Sequence, residues 1–154
     1  MVKRLLIGSL LLILIPAFAA AQEGKRDPYD GGDKYSEIRP YKVTPVKKIV
    51  IKEIGKWSDR RSSSDETQQD CAAFRPRETD VREFFHRARR VSFSKYLNDL
   101  DASRCYAAGE IFFENGDRGT WVIDAGRRGV LTLSGGVNLY FFCTKCRANV
   151  FYEY

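Results

Sequence analysis

Histidine is almost absent from this chain, and with it the commonest general base of enzymes. The 154 residues include one histidine, His86. No serine or cysteine has an evident place beside it as a nucleophile, and a single histidine on the polar side of a helix is more often a surface residue. Glu110 with a second carboxylate is an alternative for glycoside hydrolysis, although spacing alone does not place two carboxylates in one cleft. We therefore predict that the protein is not an enzyme and has no catalytic residues.

The sequence also lacks a concentrated stripe of basic residues. It contains 26 Lys and Arg against 20 Asp and Glu, which gives a formal net charge of +6. The arginines occur as scattered pairs interleaved with carboxylates, whereas a nucleic-acid-binding protein collects them on one face. We predict no nucleic-acid partner. The arginine pairs are then either solvated surface groups or a patch for an acidic protein, a phospholipid headgroup or a glycan.

No apolar run is long enough for a comfortable membrane span, which takes about 20 residues. The longest run, residues 5–15, follows two basic residues and is ended by Pro16. Ala19 and Ala21 then provide the small side chains that signal peptidase requires. Residues 1–21 are therefore predicted to be a cleavable signal peptide, with an uncleaved anchor as the alternative.

Cleavage there would leave 133 residues (154 minus 21), enough for one domain with one core. The protein would be periplasmic or secreted, with no stable membrane span after cleavage. A lipoprotein is excluded because it needs a cysteine at the cut, and the first cysteine is Cys71. Residues 22–45 are polar and interrupted by Pro and Gly, which predicts a flexible leader. Residues 46–154 are predicted to form a single α+β domain.

One amphipathic helix is predicted to begin near Asp80. Asp80 and Glu83 have the spacing of a capping box, and the apolar residues that follow recur at helical spacing: Val81, Phe84, Phe85 and Ala88. Residues 47–57 alternate basic with β-branched side chains, as in an edge strand. Residues 94–100 predict a second, short helix that would bring Tyr96 and Leu97 inward.

The second half of the domain predicts a β-meander. Asn115-Gly116 is a tight hairpin signal, and turn residues separate four strands at 106–114, 118–124, 130–133 and 137–143, with a short edge piece at 151–154. The predicted fold class is α+β, with one main amphipathic helix packed on an antiparallel β-meander of four to five strands and bearing disulfides. One face of this sheet would pack on the helix, including Ile111, Phe113, Trp121, Ile123, Leu131 or Leu133, Leu139 and Phe141.

The other face of the predicted sheet is also apolar, since it carries Phe112, Val122, Tyr140 and Phe142. Either the strand before the helix covers these side chains, or they form a surface that binds a partner. Alternation along the strands does not distinguish the two.

Four cysteines remain after the predicted cleavage, and in an oxidising compartment they predict two disulfides. Three pairings of Cys71, Cys105, Cys143 and Cys146 are conceivable. A four-strand meander brings the start of its first strand and the end of its fourth to the same end of the sheet. We therefore favour Cys105 with Cys143 or Cys146.

The spacing of Cys143 and Cys146 leaves an alternative function open, because two thiols three positions apart form redox centres and half-sites for zinc. The motif follows a predicted strand rather than opening a helix, and a second close pair of cysteines is missing. We therefore predict structural disulfides, no cofactor and no metal ligands. A thiol-disulfide or zinc-binding protein that uses this pair is the alternative.

The function predicted from these patterns is non-enzymatic binding. The sequence favours a small exported protein that binds another envelope or extracellular macromolecule, as an inhibitor, an immunity-type protector or an accessory protein. Aromatic side chains and arginines at turns are the residue types enriched in interfaces. The candidate partner-binding residues are Arg118, Arg127, Arg128, Tyr140 and Phe142.

Overall fold

The computed structural model describes residues 39–40, 44–59, 65–146 and 150–152. The predicted signal peptide lies outside the described residues, as does most of the predicted leader, so both assignments stay predictions. The described chain forms an antiparallel sheet with few helices and two disulfides, which confirms the predicted mixture of helix and sheet. No helix in these ranges is long and apolar enough to cross a membrane.

The predicted meander is present as four consecutive antiparallel strands, each paired with the next. Gly116, in the turn between the first two, has a positive φ of 89°, as the hairpin signal requires. The strands are β4 (Cys105–Phe113), β5 (Arg118–Asp124), β6 (Arg128–Leu133) and β7 (Asn138–Phe142).

Three further strands, one of which is the edge strand predicted at residues 47–57, enlarge the sheet to seven; the predicted meander has four or five. β2 (Val46–Trp57) pairs with β4. On the opposite side β3 (Arg89–Val91) pairs with β7, and β1 (Arg39–Pro40) pairs with β3. β1 and β3 are too short for an alternating pattern to be recognised in the sequence.

Three helices accompany the sheet: α1 (Gln68–Cys71), α2 (Glu78–Arg87) and α3 (Phe93–Asn98). α2 is the predicted amphipathic helix, but it begins two residues before Asp80. An Asp80 carboxylate oxygen accepts from the backbone N–H of Arg77 at 2.8 Å, so Asp80 is the third residue of the helix and Arg77 its N-cap. The predicted capping box of Asp80 with Glu83 is wrong, because two acidic residues three positions apart fit two adjacent registers of the helix start.

The hydrophobic core lies between α2 and one face of the sheet, which we call the first face. The Phe85 ring meets the Phe141 ring of β7 edge-on at a centroid distance of 5.7 Å. The Phe84 ring lies over Gly129 of β6, where an added Cβ would come within 2.7 Å of it. The residues predicted to face the helix are buried, with Leu131 rather than Leu133 in the fully buried position.

A bulge in β2 brings α1 close to the start of β4. The pairing of β2 with β4 shifts register on both sides of Glu53, and Gly55 has a φ of 59°. A Cβ at Gly55 would lie 2.7 Å from the carbonyl oxygen of Cys71. Only glycine permits both this backbone conformation and this close approach, which places Cys71 beside Cys105.

β2 is also an outer strand of the sheet. In the described chain no strand pairs with its outer side. Its exposed side chains are mostly lysines, namely Lys47, Lys48, Lys52 and Lys56. β2 lies in the plane of the sheet beside β4, so it does not cover the face opposite α2.

Candidate binding surface on the second face of the sheet

The face of the sheet opposite α2, which we call the second face, carries an apolar row across three strands. Val122 of β5 pairs with Val130 of β6, and Val130 pairs with Tyr140 of β7. Residues paired in this way point to the same face and contact one another. All three side chains are half-buried, so the row reaches solvent.

Helix α3 lies over one end of this row. The hydroxyl of Ser92 caps the helix by accepting from the backbone N–H of Lys95 at 3.1 Å. The rings of Phe93 and Tyr96 each lie 5.1 Å from the ring of Tyr140, and Tyr96 is buried as predicted. Leu97 is 55% exposed and Phe93 is 40% exposed, so the prediction that Leu97 points inward is wrong.

The row and the exposed helix residues together form one surface, which we call the apolar strip. Phe93 and Leu97 are four positions apart and lie on the same side of α3. Neighbouring strands are roughly 4.8 Å apart, so three strands and a helix give a strip on the order of 15 Å long. The apolar strip consists of Val122, Val130, Tyr140, Phe93 and Leu97.

Arg128 is not part of any surface, which corrects its assignment as a partner-binding residue. Its side chain is 5% exposed and forms an ion pair with Asp124 at 2.9 Å. It also donates to the backbone carbonyl of Tyr96 at 2.8 Å, and its guanidinium lies 4.6 Å from the Tyr96 ring centroid. Arg128 therefore anchors α3 to the sheet.

The other predicted partner-binding residues lie at two places on the second face. Tyr140 is in the apolar strip, and Phe142 lies beside it, two residues further along β7. Arg127 is half-buried, with its guanidinium 6.0 Å from the Phe142 ring centroid. Arg118 is exposed at the start of β5, toward the other end of the strands. The structure therefore groups Arg127, Tyr140 and Phe142 and separates Arg118 from them.

Arg118 lines a cavity of about 370 Å³ on the same face. An ion pair at its edge joins the Lys52 ammonium to the Glu110 carboxylate at 3.6 Å. The lining residues are Glu110, Phe112, Arg118, Gly119, Thr120, Thr132, Leu133 and Ser134. We call this cavity the hydroxyl pocket, because three of its lining side chains are hydroxyl-bearing.

The disulfides join Cys71 to Cys105 and Cys143 to Cys146. Two disulfides are as predicted, but the favoured pairing of Cys105 with Cys143 or Cys146 is wrong. The start of β4 and the end of β7 do lie at the same end of the sheet, yet β5 and β6 lie between them. Three strand spacings of roughly 4.8 Å place the two ends farther apart than the roughly 7 Å that a disulfide allows between Cα atoms.

Both cysteines of the Cys143–Cys146 pair are buried, at 0% and 5% exposure. The pair follows β7 directly and does not open a helix. Thiol–disulfide chemistry needs an accessible sulfur and a stabilised thiolate, so this placement does not favour it. Among the described residues no three His, Cys, Asp or Glu are grouped as a metal site would need. The thiol or zinc hypothesis stays a prediction.

Glu66 is a polar anchor that the sequence did not indicate. Its carboxylate accepts from the Ser103 hydroxyl at 2.7 Å and from the backbone N–H of Arg104. Its backbone carbonyl accepts from the indole N–H of Trp57 at 2.9 Å. These bonds join the segments that lead to Cys71 and Cys105. Residues 58–70 contain no apolar side chain, so the sequence predicts a mobile loop here. Hydropathy patterns do not report an anchoring carboxylate.

A second cavity of about 480 Å³ adjoins this anchor and is lined by Trp57, Asp65, Glu66, Thr67, Gln68 and Arg104. The Tyr152 hydroxyl contacts the sulfur of Cys105 at 3.7 Å nearby. Burial, reinforced by the Glu66 carboxylate, raises the pKa of Tyr152 from its ordinary value of 10.0 to about 12. The cluster therefore favours a neutral Tyr152 phenol.

Comparison with known proteins identifies no relative of this chain. A scan against models of protein families, a search of curated proteins and a search of solved structures each found no match.

Proposed function

We propose that this is an exported, non-enzymatic protein that binds another protein of the cell envelope or extracellular space through the apolar strip. The observation that carries the proposal is the exposure of Phe93 and Leu97 on a helix whose other side is fixed to the sheet. Export is supported by the predicted signal peptide and by two disulfides, which persist in oxidising compartments.

The composition of the strip fits an interface. Interfaces are enriched in aromatic residues and arginine, and their binding energy is concentrated in a few apolar anchors with a polar rim. Phe93 and Tyr140 supply aromatic contact area, while Arg127 over Phe142 supplies a cation at the margin. Because Ser92 caps α3 and Arg128 anchors it to the sheet, these side chains are positioned before a partner arrives, which lowers the entropy cost of binding.

Site-specific photo-cross-linking in the cells that produce the protein tests this proposal. A photoreactive amino acid replaces Leu97 or Val122 in separate variants, and a third variant carries it at Asn115, an exposed hairpin-turn residue away from the strip. We expect one discrete protein adduct from both strip positions and none from the turn position. Equal labelling at all three positions, or no adduct at either strip position, would refute the proposal.

A charge placed on the strip then shows whether the adduct depends on apolar contact. Leu97→Glu should reduce cross-linking from Val122 at least tenfold. Asn98→Glu, which adds the same charge one residue further along α3, is the matched control and should leave the adduct in place. Both residues are exposed, so we expect both variants to fold. Thermal unfolding of each variant checks this.

A further inference from the structure

The hydroxyl pocket differs in chemistry from the apolar strip, because hydroxyl-bearing and charged side chains line it. It occupies the next two rows of the second face. In the first, Glu110 pairs with Thr120 and Thr120 with Thr132; in the second, Phe112 pairs with Arg118. Its volume of about 370 Å³ falls at the small end of the roughly 300–1,000 Å³ found for ligand pockets. This is room for a single sugar ring or a group of similar size.

Positive charge is in excess around this pocket. The one carboxylate in its lining, Glu110, is already paired with Lys52. Lys48 adds a second ammonium group, 6.0 Å from the Phe112 ring centroid. Arg118 is exposed, and none of the ion pairs found among the described residues involves it. A ligand with an anionic group would therefore find a guanidinium fork that is suited to bidentate contact with a carboxylate.

The rest of the lining can both donate and accept hydrogen bonds. The Thr132 hydroxyl donates to the side-chain oxygen of Asn138 at 2.7 Å, so its own oxygen is left to accept. The hydroxyls of Thr120 and Ser134 can do either, and the Glu110 carboxylate accepts. Phe112 provides an apolar floor.

This combination fits a sugar ring better than a peptide. A sugar carries hydroxyl groups around its edge and C–H groups on its faces, which match the hydroxyls and the apolar floor. An extended peptide binds to a sheet mainly through its main chain at an exposed edge. The pocket lies on the face of β4, β5 and β6, whose main-chain groups already pair with one another.

We propose that the hydroxyl pocket binds a uronic acid residue of an acidic polysaccharide. Arg118 binds the carboxylate, Thr120, Thr132 and Glu110 bind the ring hydroxyls, and Phe112 contacts an apolar side of the ring. The proposal goes beyond protein binding at the apolar strip and does not depend on it.

Direct titration of the disulfide-bonded protein tests the proposal. The probes are trisaccharides of galacturonic and of glucuronic acid, the corresponding neutral trisaccharides, and a triglutamate peptide of equal charge. We expect saturable binding of at least one uronate, at least tenfold weaker binding of its neutral counterpart, and shifts in the methyl NMR signals of Thr120 and Thr132. No saturable binding of either uronate, or equal binding of triglutamate, would overturn the proposal.

Three substitutions separate sugar recognition from charge attraction. Arg118→Gln should weaken uronate binding about tenfold or more, as expected for loss of a charge-assisted hydrogen bond. Thr120→Val keeps the shape of an exposed strand residue, removes one hydroxyl and should weaken binding about fivefold. Arg75→Gln changes the net charge equally at an exposed position outside the pocket and should have no effect. If only charge mattered, Thr120→Val would bind normally, which would overturn the sugar assignment while leaving the cross-linking result at the apolar strip intact.

Discussion

At the scale of single residues, the Arg128–Asp124 pair has the clearest structural role. Both side chains are almost fully buried, and the Asp124 carboxylate also accepts from the backbone N–H of Arg128 at 3.0 Å. A buried ion pair is costly to desolvate, but removing one partner is costlier because the other is left charged and buried. The pair therefore fixes where α3 sits, and with it the exposure of Phe93 and Leu97.

Asp124→Ala should lower the free energy of unfolding by about 3–5 kcal/mol, because it leaves the Arg128 guanidinium buried without its counter-ion. Urea denaturation with the disulfides intact measures the loss. The control is Glu83→Gln, which breaks the partly exposed ion pair with Arg87 at 2.9 Å and should cost less than about 1 kcal/mol. Similar losses in the two variants would contradict a structural role for the buried pair.

Tyr152 gives a pH-dependent prediction. Its pKa is about 12 in the folded chain, against an ordinary value of 10.0, so the unfolded chain releases the phenol proton first. The stability that this group contributes is present below pH 10 and is lost as the pH rises toward 12. In an absorbance titration of tyrosinate, Tyr152→Phe should remove one late-titrating group; an unchanged late phase would show that Tyr152 titrates normally.

The sequence indicates which residue types occur at the turn before β6, but not whether their side chains point to solvent or to the core. Arg127 and Arg128 are adjacent in a turn, and both fit a surface. The φ of Arg127 is 66°, and the backbone at this turn directs Arg128 inward to Asp124. A pattern of residue types does not specify that conformation, nor does it show that Glu66 meets Ser103 across 37 positions of the chain.

At the scale of elements, the two disulfides perform different tasks. Cys71–Cys105 spans 34 positions and ties α1 to the start of β4. Cys143–Cys146 spans three positions and closes only the turn after β7. A crosslink restricts the unfolded chain more when it closes a longer loop.

Paired cysteine-to-alanine substitutions should show this difference. Loop-closure entropy predicts a loss of about 4 kcal/mol for Cys71→Ala with Cys105→Ala, and of about 2 kcal/mol for Cys143→Ala with Cys146→Ala. Each double variant removes two buried sulfurs, so each is the control for the other in urea denaturation. The reverse order would mean that the Cys143–Cys146 turn has a role beyond chain closure.

The elements themselves were predictable where the pattern was long. The meander and α2 were found from alternation and helical spacing, and their inward residues are those of the core. The edge strand β2 was predicted too, but its neighbour was not, since alternation does not show that β2 pairs with β4 or that the pairing shifts register on both sides of Glu53. The disulfide pairing failed for the same reason, because it depends on which strands are neighbours and not only on which ends they share.

At the scale of the whole molecule, export and oxidation are the properties to measure first. We expect the exported protein to begin at Gln22, to lack four hydrogens relative to the reduced chain, and to take up no alkylating reagent under native, nonreducing conditions. Intact mass spectrometry with and without alkylation provides all three values. Alkylation of Cys143 or Cys146, or alkylation only after chelation, would favour the thiol or zinc hypothesis over structural disulfides.

The outer strand β2 has a consequence for how copies of the protein meet. A twelve-residue strand with an open side is a template for sheet-to-sheet association, the first step of fibrous aggregation. Two such strands brought together would place their lysines close to one another, and we expect this repulsion to oppose their pairing. Neutralising Lys47, Lys48, Lys52 and Lys56 would therefore leave the fold in place while removing its protection against growing into fibrils.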